Sequence, residues 1–166
     1  MGLTIQKILM SLVGATTFMG SLSTNATSLD KCNSAPLIVT KKNVGTVSYF
    51  ATNCQKSWEK QTIRLDFNYN HDIPEWAFKQ AASYFLKKNV AGFNENSQLN
   101  HITQLYQPVK QGDLYSLYYQ HENQILELKL NQKKLGAIRD PNANQYFKIW
   151  FGTAPFNAKL KQQLLN

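Results

Sequence analysis

Between Gln61 and Tyr69 polarity reverses at every step. Ile63, Leu65, Phe67 and Tyr69 alternate with Thr62, Arg64, Asp66 and Asn68. A period of two places the first set on one face of a strand and the second on the other. The period then lengthens. Ile73, Ala77, Ala81, Tyr84, Phe85 and Lys88 recur at spacings of three and four, which predicts an amphipathic helix over Trp76–Lys88. The segment Asp72-Ile-Pro-Glu75 ahead of it reads as a capping box with proline in the first turn. Gly92 marks the break after this helix. A second helix is predicted over Asn96–Gln107, with Leu99, Ile102, Leu105 and Tyr106 as its apolar stripe.

Elsewhere the apolar runs are short. Pro36–Val39 and Val44–Tyr49 read as strands parted by Lys41-Lys42-Asn43. Pro108 and Gly112 define a turn before Asp113. Leu114–Gln120 and Ile125–Leu130 then read as a hairpin connected by His121–Gln124. Asn131–Lys134 turns the chain into a short strand, Leu135–Ile138. Asp140-Pro141 opens a third helix whose apolar side is Ala143, Tyr146, Phe147 and Trp150, and Gly152 stops it. Asn157 caps a last helix ending at Leu164–Leu165. Strands, two helices, a three-stranded meander and two more helices describe an α+β domain, an antiparallel β-sheet packed on helices.

The N-terminus departs from this pattern. Lys7 is the single charge before Asp30, Ile8–Leu22 is apolar or small, and Ser21, Ser23, Thr24 and Ala26 supply small residues for cleavage. Residues 1–26 therefore read as a secretory signal, with an uncleaved anchor as the alternative. Residues 27–35 are polar and read as a flexible arm. Residues 36–166 form one domain by length. After the signal, no second apolar stretch reaches the length of a membrane span. The expected location is periplasmic or secreted. In that setting Cys32 and Cys54, the only two cysteines, suggest a disulfide; two free thiols are the alternative.

The formal net charge is +8, or +7 without Lys7. Lysine doublets at 41–42, 87–88 and 133–134 fall at turns and helix ends, so the excess reads as solubilising charge and not as a nucleic-acid patch. Catalytic signatures are missing. His71, His101 and His121 lack ligand spacing, and two cysteines cannot build a thiolate zinc site. There is no G-x-S-x-G elbow and no glycine-rich phosphate loop. No metal or cofactor is expected. Eight Tyr, nine Phe and three Trp are a better lead, because such side chains line apolar pockets while offering polar tips. Tyr115 and Tyr119 share one face of their strand. Arg64, on the polar face of the clearest strand, could meet a ligand carboxylate, or pair with Asp66 on a solvated face.

Four pieces carry a family likeness: IRLDFNY followed by the DIP helix start, the PVKQGD turn before a Tyr-rich strand, the LKLNQKKLGAI hairpin, and the closing D-P-x-x-x-x-Y-F-K-I-W-F-G…P-F…L…LL. In this order they resemble the bacterial chalcone isomerase-like proteins from Gln61 to the end. Gln132 stands where the family's hairpin commonly has glycine. The resemblance implies an open-faced β-sandwich whose sheet wraps around helices, with a cleft for apolar or planar ligands. Plant relatives either cyclise chalcones or bind fatty acids. Cyclisation requires an arginine on an early strand. The corresponding region, LIVTKKNVGTVSYFATNCQKSW, has none, so no catalytic residue is transferred. Three readings result. The first is an exported, non-catalytic protein holding a fatty-acid-like ligand, with Arg64, Tyr69, Tyr115 and Tyr119 as candidate contacts. The second is an isomerase (intramolecular lyase) of chalcone isomerase type. The third is an envelope interaction domain without a small ligand.

Overall fold

A computed structural model describes residues 28–166. The signal segment expected at 1–26 lies outside the described residues. Six strands, β1 (Asp30–Val39), β2 (Lys42–Ala51), β3 (Ile63–Tyr69), β4 (Leu114–Gln120), β5 (Ile125–Leu130) and β6 (Lys133–Arg139), form one antiparallel sheet in sequence order. Four helices cover one face: α1 (Glu75–Asn89), α2 (Gln98–Gln104), α3 (Lys148–Phe151) and α4 (Ala158–Leu165). The α+β expectation holds.

The alternation in β3 sets the sheet's inner face. Phe67 pairs with Val47 on one side and Tyr115 on the other; Leu65 pairs with Tyr49 and Leu117; Ile63 pairs with Ala51 and Tyr119. All nine side chains are buried. Helix α3 fits its aromatics onto this surface, with Trp150 4.9 Å from Phe67 and Phe151 5.3 Å from Tyr49 between ring centroids. Helix α1 packs over α2 and α3, α4 lies along β1, and α2 abuts β6.

Several local expectations change. The arm expected at 27–35 is not loose where it is described: from Asp30 onward it is the first half of β1, paired with β2 back to Ala51. An edge strand tolerates polar side chains on its outward face. Asn33 anchors the strand further by donating to the carbonyls of Leu164 (3.1 Å) and Asn166 (3.0 Å). Cys32 and Cys54 are bonded, with Cα atoms 5.3 Å apart. The loop holding Cys54 is organised by buried Gln61, whose amide donates to Asn53, Lys56 and Ser57 carbonyls and accepts from Asn53 N–H and the Thr52 hydroxyl.

The capping box at Asp72 does not form. Asp72 turns to the Pro108–Asp113 turn, accepting from Lys110 Nζ (2.9 Å) and Gln111 N–H (3.0 Å), and Pro74 takes the N-cap position. Glu75 instead pairs with Lys79 one turn along. The second helix spans only Gln98–Gln104, because beyond Leu105 the backbone of Gln107 bonds the Tyr115 hydroxyl. Asp140 accepts from Asn142 N–H at 2.7 Å, and the expected third helix divides into a 3-10 turn, Ala143–Phe147, followed by α3. Asn157 does cap α4, accepting from Leu160 N–H at 3.0 Å. Asn131 and Gln132 both take positive φ, +50° and +68°. The β5–β6 turn thus keeps its primed geometry with Gln132 in the position that glycine favours.

Candidate functional site

A cavity of about 230 Å³ lies between the inner face of the sheet and α1. Its floor is Phe67 and Tyr69 from β3 with Tyr115 from β4. Leu37, Val39 and Val44 close the side toward β1 and β2. Ala77, Phe78, Ala81 and Ala82 of α1 form the roof, and Ile149, Trp150 and Phe156 complete one wall. The void has a simple cause. Tightly packed interiors leave little free space, yet α1 presents three alanines where the facing sheet would accommodate larger groups. Val39, Ile73, Ala77, Ala81 and Phe156 are only half-buried, so the cavity opens between the β1–β2 end of the sheet and α1.

Phenols gather at the inner end. Tyr115 lies 6.2 Å from Tyr69 and 5.2 Å from Tyr106 between ring centroids. Its hydroxyl is fully engaged, donating to Gln107 O and accepting from Gln107 N–H, both at 2.8 Å. Tyr146, behind the lining, shares a buried hydrogen bond of 3.0 Å with Thr103 and sits beside the Tyr106 hydroxyl. Tyr69 is different. It is 5 % exposed, and its hydroxyl makes no hydrogen bond among the described residues. No fully sealed polar side-chain atom lacks a partner there, so that hydroxyl borders the open space of the cavity it lines. Burial pushes the Tyr115 phenol up to about 12 and raises Tyr69 still further, with Tyr115 adding to the effect. All of these phenols therefore remain neutral donors at ordinary pH.

Among the described residues, no charged side chain lines the cavity. Arg64 projects from the opposite face of the sheet. Its Nε donates to Asp66 at 3.1 Å and its guanidinium lies 4.1 Å from the Phe50 ring centroid, so the solvated pairing is the one formed. Tyr119 shares the inner face with Tyr115 but lies farther along β4, opposite Ile63 and beside His121, away from the cavity. Of the four candidate contacts, the structure brings Tyr69 and Tyr115 together and separates Arg64 and Tyr119. Sequence reading missed Phe78, Tyr106, Trp150 and Phe156 as lining residues. The alanines at 77 and 81 on the inner stripe of α1 were the available signal. A wider groove of about 520 Å³ near the disulfide is bordered by exposed Gln55, Lys56 and Asn166 and lacks an apolar interior.

A single antiparallel sheet, helices packed on one side of it and a mouthed apolar cavity between them define an open-faced β-sandwich built around an internal space. The chain belongs to the chalcone isomerase-like family, whose model matches residues 48–166. Among solved structures, it is similar to the fatty-acid binding protein AtFAP1 of Arabidopsis thaliana, with a TM-score of 0.62 and 13% identity over 83% of this chain and 87% of that one. No curated protein sequence matches the chain.

Proposed function

We propose that this protein is a non-catalytic carrier or sensor that holds an apolar small molecule between its sheet and α1. The observation that carries this reading is the cavity itself, apolar over most of its wall and lined by a buried phenol, Tyr69, without a hydrogen-bond partner among the described residues. An apolar void of this kind is a ready host for a hydrophobic guest. The fold neighbour's printed name, a fatty-acid binding protein, agrees with it. The isomerase reading lacks support because no lining residue is a cation able to stabilise a developing oxyanion. Export fits the Cys32–Cys54 disulfide, and N-terminal sequencing of the purified protein tests it. For the ligand, native mass spectrometry is decisive. An apolar mass that co-purifies, or is taken up after delipidation, supports the proposal. A ligand-free mass that takes up no apolar probe overturns it.

A further inference from the structure

The cavity's polar chemistry is narrower than its shape. Three phenols, Tyr69, Tyr106 and Tyr115, and the Trp150 indole are the polar groups on its wall, and none carries charge. Tyr115 is saturated by Gln107 and Tyr106 stands beside Tyr146, whereas neither the Tyr69 hydroxyl nor the Trp150 indole makes a hydrogen bond among the described residues. Glu75, which is paired with Lys79, and Asp113 both raise the Tyr115 pKa. Among the described residues, no lysine lines the cavity. Lys41 and Lys42 sit exposed at the β1–β2 turn by the mouth, and Lys79 is occupied by Glu75.

Building on the ligand-carrying reading, we infer that the site selects an uncharged amphiphile, a short chain or single ring bearing one neutral hydrogen-bond acceptor that meets Tyr69, and rejects ionised carboxylates of the same length. An anion brought to the inner end would lose its hydration without gaining a cation from the cavity wall. An alcohol, ketone or ether loses far less and accepts from the Tyr69 hydroxyl. Size sets a second limit. An apolar cavity of about 150 Å³ accepts benzene, roughly 25 Å³ per heavy atom. At that ratio this cavity of about 230 Å³ holds about nine heavy atoms, fewer than a long fatty chain carries.

Isothermal titration with octan-1-ol, octanoate and ethylbenzene tests this on the unmodified protein and on Tyr69→Phe. At pH 8, octanol and ethylbenzene bind, and octanoate binds at least about 30-fold more weakly than octanol. The gap narrows at pH 4, where much of the acid is neutral. Tyr69→Phe weakens octanol about 3- to 10-fold and leaves ethylbenzene unchanged. If none of the three binds, the cavity is not a ligand site and the function proposed above falls. If octanoate equals octanol at pH 8, the carrier reading stands and the selection for neutral ligands is overturned; loss of that binding in Lys41→Gln/Lys42→Gln would locate the head group at the rim. An octanol affinity untouched by Tyr69→Phe would overturn the role of Tyr69.

Discussion

Filling the cavity from its roof separates ligand binding from folding. Ala81 lies on α1, is half-buried and faces the void. Ala81→Phe adds one phenyl ring, and a ring of that size takes up a cavity of about 150 Å³. It would therefore consume about two-thirds of the 230 Å³ available. An eight-carbon alcohol that buries fully draws on about 0.8 kcal/mol per methylene, roughly 6 kcal/mol in all. Restricted to a third of the space it keeps about 2 kcal/mol, a loss near 4 kcal/mol or about 10³-fold in affinity. Folding is affected differently, because the ring enters existing space and buries its own surface. Thermal melting should stay within a few degrees of the parent. The assay pairs octan-1-ol titration with a melt of the same preparation. Octanol affinity within threefold of the parent, in a variant that melts normally, would refute the assignment of this cavity as the binding site.

Gln61→Leu should lower stability by about 2–3 kcal/mol, since five side-chain hydrogen bonds are lost and only the exposed partners recover water; a Tm fall of roughly 6–10 °C is expected, and none would show that the disulfide alone orders the loop. Gln132→Gly should stabilise by about 0.5–1 kcal/mol by relieving a left-handed residue at φ +68°, read as a higher denaturant midpoint. Stability should also fall at alkaline pH. Tyr49 and Tyr115 are pushed up to about 12 in the folded protein, while the unfolded chain releases these protons near 10. The native state thus binds more protons above pH 10, so urea midpoints should hold steady up to pH 10 and drop between 10 and 12; flat midpoints across that interval would contradict the burial of these phenols.

Legibility followed the range of the interactions. The β3 alternation, the β4–β5 hairpin and the Asn157 cap are decided by neighbours a few residues apart, and each appears in the structure. The α1 stripe holds at Ala77, Ala81 and Phe85, but Tyr84 and Lys88 are exposed and the residues α1 buries fully are Ala82 and Leu86. Asp72 misled because a local role and a long-range one competed. A side chain suited to capping α1 found a stronger set of partners on the Pro108–Asp113 turn, 38 and 39 residues away. The polar stretch Asp30–Ala35 likewise gave no strand pattern, since its order comes from β2, the disulfide and the C-terminal carbonyls.

The site divides in the same manner. Sequence alone determined which residues alternate, where the period changes from two to 3.6, and that Tyr69 and Tyr115 occupy inward positions of their strands. It also determined that the early strands carry no arginine. Only the tertiary structure decided that Arg64 faces solvent beside Asp66, that Tyr119 lies beyond the cavity, and that the alanines of α1 hang over Tyr69. Face and period are properties of a backbone repeat and can be read from one segment. A cavity is the space left between segments, fixed by how far apart packing holds them, and no single stretch of chain records that distance.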